Sequence, residues 1–180
     1  DPELEFWYGV MILAGKIIRA CSDTDDIEHV NKKQLLKCLL KKLSDNWLEI
    51  NNLTQNITVS GLDLGQIFKE AMVLRDENIE GISSYILQSI NENKILNFES
   101  TEKISQIAVI ILAILVILPL EMFAAITRLY YKNQSKKFNN YELGKLINKF
   151  NVNQWDLGDV RTRIDRAEEY LITANLRLPV

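Results

Sequence analysis

A run of twelve residues, Ile107 to Leu118, contains no polar side chain. Every face of such a helix would present apolar surface to solvent, so the run must be covered. Uninterrupted apolar runs of about 10–14 residues are typical of buried core helices, whereas 18 or more indicate a membrane span. Pro119 interrupts the run, but Met122 to Ile126 resumes it. Length therefore favours a buried central helix, while a membrane span over residues 107–126 and a buried strand stay open as alternatives.

The composition is that of a globular chain with one domain. The chain has 180 residues, 47% hydrophobic and 25% charged, which is enough for one domain with a real core. Only three Pro and seven Gly leave long stretches free for helices. A net charge of −3 gives no general attraction for nucleic acid, so we expect no nucleic-acid partner. Residues 7–180 are interpreted as the domain, and residues 1–6 as a joining segment without functional weight.

Helical periodicity of apolar residues predicts an all-α bundle of about seven or eight helices around the one apolar central helix. Asn31 can cap the second helix, because Gln34 stands three residues later in capping-box position. Pro119 is tolerated in the first turn of a helix, so a new helix is expected to start there. The predicted helices cover residues 4–20, 31–47, 63–74, 79–91, 104–118, 119–132, 141–150 and 156–175.

The last long helix, within residues 155–175, has the spacing of a coiled-coil seam. Its apolar side chains recur at intervals of three and four residues: Leu157, Val160, Ile164, Ala167, Leu171 and Ala174. Sustained coiled coils need at least three or four heptads, and this seam is shorter. We therefore expect it to dock on the body of the domain, and homo-oligomer formation through the same seam stays open.

Residues for catalysis or metal binding are few. His29 is the one histidine, in an acidic loop, so a multi-histidine metal site is impossible. Cys21 and Cys38 are too few for a disulfide framework and lie beside helical apolar positions, so we expect free thiols in the core. The sequence contains no Gly-rich phosphate loop, Cys-x-x-Cys pair or Gly-x-Ser-x-Gly elbow. We predict a protein that is not an enzyme and uses no metal or other cofactor.

Three sequons for N-glycosylation are present, starting at Asn52, Asn56 and Asn133. They have meaning only in a chain that enters the secretory path. The location expected from the sequence is the cytoplasm, with membrane association left open.

The segment Leu40-Lys41-Lys42-Leu43-Ser44-Asp45-Asn46-Trp47 resembles the death-helix motif of the B-cell-lymphoma-two (Bcl) family of apoptosis regulators. In that motif apolar residues fill pockets of a groove, a small residue allows close approach, and an Asp pairs with an Arg across the interface. Carried over, the resemblance makes Ser44 the small residue and Asp45 the acid. The apolar anchors it implies are Leu36, Leu40, Leu43 and Trp47.

The order of the predicted helices is also similar to the fold of this family, especially to its divergent viral members. The resemblance covers about Leu4 to Lys132 and implies that residues 66–72, with Phe68 and Met72, enter the groove region. The Asn-Trp-Gly-Arg signature of the family is absent, and only Gly81 remains of it. The usual Arg–Asp contact to a partner helix must therefore be missing or replaced.

The resemblance implies a non-enzymatic regulator of cell death or innate signalling. Such a protein would take a partner's amphipathic helix into a groove lined from residues 36 to 90. Two alternatives stay open. The first is a helical scaffold or assembly subunit that uses the C-terminal seam, and the second is a membrane-associated helical protein that spans through residues 107–126.

Overall fold

The computed structural model describes residues 1–55, 65–77, 79–92, 98–133 and 140–176. Within these ranges the chain forms eight α-helices and no strand, which confirms the predicted all-α bundle. Short 3₁₀ helices lie at Ile27–His29 and Val152–Gln154. The α-helices are α1 Pro2–Cys21, α2 Lys32–Gln55, α3 Gly65–Arg75, α4 Tyr85–Glu92, α5 Phe98–Ile117, α6 Leu120–Asn133, α7 Asn140–Lys149 and α8 Leu157–Leu176.

Helix α5 forms the centre of the core. Helices α1, α2, α3 and α4 all pack against it, and every residue from Ile111 to Ile117 is at most 2% exposed. The apolar run is thus covered by other helices of the same chain, as the prediction of a buried central helix requires. Over the described residues, no helix combines the length and apolar character needed to cross a bilayer.

Pro119 separates α5 from α6. The Leu118 N–H donates to the carbonyl of Ile114 at 3.2 Å, and Pro119 then has no N–H to continue the ladder. Its carbonyl accepts from the Phe123 N–H at 2.9 Å, in the first turn of α6. The prediction that a new helix starts at Pro119 is confirmed, and residues 107–126 are divided between two helices.

Helix α2 is longer than the sequence predicted. Asn31 caps it as expected, since its Oδ1 accepts from the Gln34 N–H at 3.1 Å. The helix continues past Trp47 to Gln55, although we predicted a turn-rich segment from residue 51. Ile50 is fully buried and extends the apolar stripe by one turn, so packing outweighs the weak helix propensity of the asparagines that follow. The rest of that predicted turn lies outside the described residues.

The first turn of α4 is held by two carboxylates from other helices. Glu70 of α3 accepts hydrogen bonds from the Ser84 hydroxyl at 2.9 Å and from the Ile86 N–H at 3.0 Å. Glu3 of α1 accepts from the Ser84 N–H at 2.8 Å. Glu3 belongs to the segment that we gave no functional weight, yet α1 continues through residues 2–6 without a break. The predicted start of this helix at residue 79 is wrong, because Gly81 (φ 73°) lies in a turn before it.

Cys21 and Cys38 form a disulfide, so the expectation of free thiols is wrong. Cys21 is the last residue of α1, Cys38 lies in the second turn of α2, and their Cα atoms are 5.8 Å apart. Helices α1 and α2 also pack on each other, which brings the two half-buried side chains together. The link closes a chain segment that includes the acidic loop and the exposed His29.

Candidate functional site

The apolar anchors of the death-helix-like motif face the interior. Leu36, Leu40, Leu43 and Trp47 are each at most 1% exposed, on the side of α2 that packs against α5. They are therefore in contact with this chain's own core. A partner helix could reach them in this conformation only by displacing that core.

Asp45 lies on the opposite, solvent side of α2. Its side chain is exposed and makes no ion pair with any residue in the described part of the chain. Ser44 is half-buried, and its hydroxyl lies 3.5 Å from Oδ1 of Asn140 at the start of α7. The structure thus separates the acid of the motif from its apolar anchors.

Five aromatic residues join α2, α3 and α6 in what we call the aromatic cluster: Trp47, Phe68, Phe123, Tyr130 and Tyr131. Phe68 is its centre and is itself buried. The centroid of its ring lies 5.3 Å from that of Trp47 and 4.8 Å from that of Tyr130. Tyr131 is further from Phe68, and the centroids of their two rings are 6.3 Å apart. Ring contacts of this kind stabilise the packing between α2, α3 and α6.

Two exposed residues lie near the buried Phe68, Met72 on the same helix and Tyr131 on α6. Met72 lies one helical turn after Phe68 on α3 and is 47% exposed, and Tyr131 is 53% exposed. Of the two predicted groove residues on α3, the structure therefore buries Phe68 and leaves Met72 accessible. Tyr131 was not among the site residues predicted from the sequence, because only the packing of α6 against α3 brings it to this place.

Basic side chains accompany both apolar residues. Lys69 precedes Met72 by three positions and Arg128 precedes Tyr131 by three, so each cation shares a helix face with its apolar neighbour. Both are exposed, and neither forms an ion pair within the described ranges. Asp76, just after the end of α3, is an exposed acid. We call Lys69, Met72, Arg128 and Tyr131 the Met72–Tyr131 surface.

The C-terminal seam packs inside the chain. Leu157, Val160 and Ile164 are buried, and Leu171 is half-buried, on the side of α8 that contacts α1. Gly15 of α1 allows this close approach, because a Cβ atom there would lie 3.1 Å from Cγ2 of Ile164. This arrangement is the docking of α8 on the body of the domain that we expected from the short seam. It leaves little of the seam accessible to a second copy.

The carboxylate of Glu70 is buried at the start of α4. Burial raises the pKa of this carboxyl, and the hydrogen bonds from Ile86 and Ser84 oppose that rise. All of its hydrogen bonds described above go to the start of α4, so its geometry is that of a helix cap. Across the described residues, no three His, Cys, Asp or Glu side chains are grouped closely enough to hold a metal ion.

No protein-family model matches the sequence, no curated protein is significantly similar to it, and no solved structure matches it at a significant level.

Proposed function

We propose that this chain is a non-enzymatic protein-interaction domain of the Bcl-like type, a regulator of cell death or innate signalling. Its partner is an amphipathic helix, which docks on the Met72–Tyr131 surface. The observation that carries the proposal is the exposure of Met72 and Tyr131 beside the buried Phe68: Met72 lies one helical turn after Phe68 on α3, and the ring of Tyr131 contacts that of Phe68. Tyr and Met are enriched at protein interfaces, since both offer large apolar contact area.

The order of the helices supports the Bcl-like type. An apolar α5 stands at the centre, and α1 to α4 pack around it, which is the order that the sequence resemblance implies. Because the α2 anchors are buried, the proposed docking surface differs from the one that the motif implied. A partner would contact the α3 and α6 side of the predicted groove region instead of the apolar side of α2.

Charge indicates which helix would fit. Lys69 and Arg128 flank the apolar pair and have no acidic partner within the described ranges. A partner helix with apolar residues three and four positions apart and a carboxylate beside them would bury its apolar side on Met72 and Tyr131. Its acid would then pair with one of the two cations. In this way they would replace the Arg that the missing family signature would supply.

The test is a fluorescence titration of labelled death-helix peptides with the purified domain. We expect saturable binding that Met72→Glu and Tyr131→Glu each weaken about tenfold or more, since the few anchor residues that dominate an interface cost about 2 kcal/mol or more when truncated. Ile172→Glu is the matched control, because Ile172 is an apolar residue on α8 that is 61% exposed. Phe68→Asp is less informative, since Phe68 is buried and its loss would disturb the fold. This function would be excluded if none of the death-helix peptides bound saturably, or if Ile172→Glu weakened peptide binding as much as the two other substitutions do.

The disulfide bears on the compartment in which the chain folds. The sequence favoured the cytoplasm, but disulfides form and persist in oxidising compartments and are rare in cytosolic proteins. The link between Cys21 and Cys38 therefore weighs against a cytoplasmic location. The proposed binding of a peptide does not depend on the compartment in which the protein is found.

A further inference from the structure

We propose that Asn52 is a site of N-linked glycosylation, in a chain that folds where the Cys21–Cys38 disulfide can form. Two independent observations meet on α2. The disulfide joins α2 to α1 near its start, and Asn52 opens the sequon Asn52-Leu53-Thr54 near its end. A sequon has meaning only in a secreted or lumenal chain, and the disulfide is the feature that points to one.

The disulfide links two different helices. Cys21 ends α1 and Cys38 lies 17 positions later, so the bond connects packed helices across the acidic loop. Nothing in the sequence pattern required this pairing, because both cysteines are also suited to be core thiols. A bond of this kind stabilises a protein that folds in an oxidising environment. In eukaryotes that environment is the lumen of the endoplasmic reticulum, which also contains the glycosylation machinery.

The position of Asn52 suits a glycan. Its side chain is exposed near the C-terminal end of α2, whereas the neighbouring Asn51 is buried. A glycan on Asn52 would extend into solvent and leave the core intact. The same addition one residue earlier would force a large polar group against the buried side of the helix.

The chemistry is a transfer of a preassembled oligosaccharide from a lipid pyrophosphate donor. A bond forms between C1 of the first sugar and Nδ2 of Asn52, while the bond from that C1 to the pyrophosphate oxygen breaks. The lipid pyrophosphate leaves with the bonding pair, and the amide nitrogen releases one proton to the solvent. Thr54 supplies the hydroxyl residue of the acceptor motif.

The other two sequons do not define the site as clearly. Asn56 lies outside the described residues, and Asn133 is the last residue of α6. Asn52 is the acceptor whose exposure the structure shows. The peptide-binding proposal stands or falls separately, because titrations can use oxidised protein that carries no glycan.

The test uses the complete natural reading frame, expressed in eukaryotic cells without an added leader. Treatment with peptide-N-glycosidase in ¹⁸O water should convert Asn52 to a labelled Asp, and an unreduced peptide map should contain the Cys21–Cys38 pair. Asn52→Gln and Thr54→Ala should each lower the glycan count by one. Asn153→Gln is the matched control, an exposed asparagine without a sequon, and should keep the full count.

Three results would overturn the proposal. In the first, the mass is unchanged by the glycosidase. In the second, Asn52→Gln protein carries as many glycans as the parent protein. In the third, alkylation under denaturing, non-reducing conditions labels both Cys21 and Cys38 as free thiols.

Discussion

Nη1 of Arg75 lies 2.8 Å from the carbonyl oxygen of Leu115, forty residues further along the chain. In an uninterrupted helix that carbonyl would accept from the N–H of residue 119, but residue 119 is a proline and has none. The same nitrogen lies 2.9 Å from the carbonyl of Val116 and 2.7 Å from that of Leu118. The indole N–H of Trp155 donates to the carbonyl of Ile117 at 3.1 Å. Two side chains from outside α5 therefore complete its buried C-terminus.

Replacing Arg75 by Met should lower the free energy of unfolding by about 3 kcal/mol, because it leaves buried carbonyls without a donor. Burial lowers the pKa of Arg75 to about 10, so the side chain is still charged at neutral pH and its hydrogen bonds are charge-assisted. Urea denaturation at pH 7 measures the effect. Arg166→Met is the control, since Arg166 forms an exposed ion pair with Glu77 that should contribute less than about 1 kcal/mol. Similar losses for both variants would contradict this account.

Because of Glu70, the free energy of unfolding should fall as pH rises above the ordinary pKa range of a carboxyl group. Burial raises the pKa of its carboxyl group above the ordinary value of 4.5, so the folded state binds the proton more tightly than the unfolded chain does. This stabilising contribution is complete below about pH 4.5 and is lost as pH rises through the raised pKa. Glu70→Gln removes the titration and keeps the shape of the side chain.

The measurement is the difference in unfolding free energy between the parent chain and Glu70→Gln, from urea melts at several pH values. The parent should lose stability relative to the variant as pH increases from 4.5, and the difference should level off above the raised pKa. A difference that is constant, or that grows in favour of the parent with pH, would contradict the prediction. Comparing the two chains cancels the titration of the other groups that both contain.

The buried position of α5 could be predicted from the local sequence, since twelve apolar residues in succession must be covered and the length of the run favoured a core helix over a membrane span. The environment of the α2 anchors could not. An apolar stripe shows that Leu40 and Leu43 must be covered, but the cover can be a partner or the chain's own core. Here it is the core, since α2 packs against α5. The docking surface that we propose therefore consists of side chains on α3 and α6 and does not include the apolar anchors of the motif.

Pairings between distant elements were the other part that sequence reasoning missed. Periodicity placed Cys21 and Cys38 correctly beside apolar positions, but the disulfide depends on how α1 and α2 pack on each other. Tyr131 likewise lies beside Phe68 because of a ring contact between two different helices. No local pattern carries such information, because each helix signals only which of its own sides is apolar.

Removing the disulfide should lower stability by about 3 kcal/mol, the value expected for closing a loop of this length in the unfolded chain. The double variant Cys21→Ser, Cys38→Ser should unfold at a lower urea concentration than the oxidised parent. Reductant should lower the midpoint of the parent to near that of the double variant, and should leave the double variant unchanged. A parent midpoint that does not respond to reductant would contradict a stabilising bond.

The contact between Gly15 and Ile164 allows a test of how α8 docks. A Cβ at Gly15 would lie 3.1 Å from Cγ2 of Ile164, so Gly15→Leu should overpack the α1–α8 interface and cost about 1–3 kcal/mol. Gly9→Ala, on the same helix, is the control. A Cβ at Gly9 meets nothing within 4 Å, so this change should raise stability by up to about 1 kcal/mol through helix propensity.

Combining Gly15→Leu with Ile164→Ala then distinguishes docking within the chain from association between chains. If α8 packs on its own α1, the smaller side chain makes room for the larger one. The two changes should then be non-additive, with a coupling of about 0.5–3 kcal/mol in a double-mutant cycle. If the seam joined two copies instead, Ile164→Ala would lower the mass in sedimentation and stability would depend on protein concentration. We expect coupling without either of these effects, because Leu157, Val160 and Ile164 are already buried within the chain.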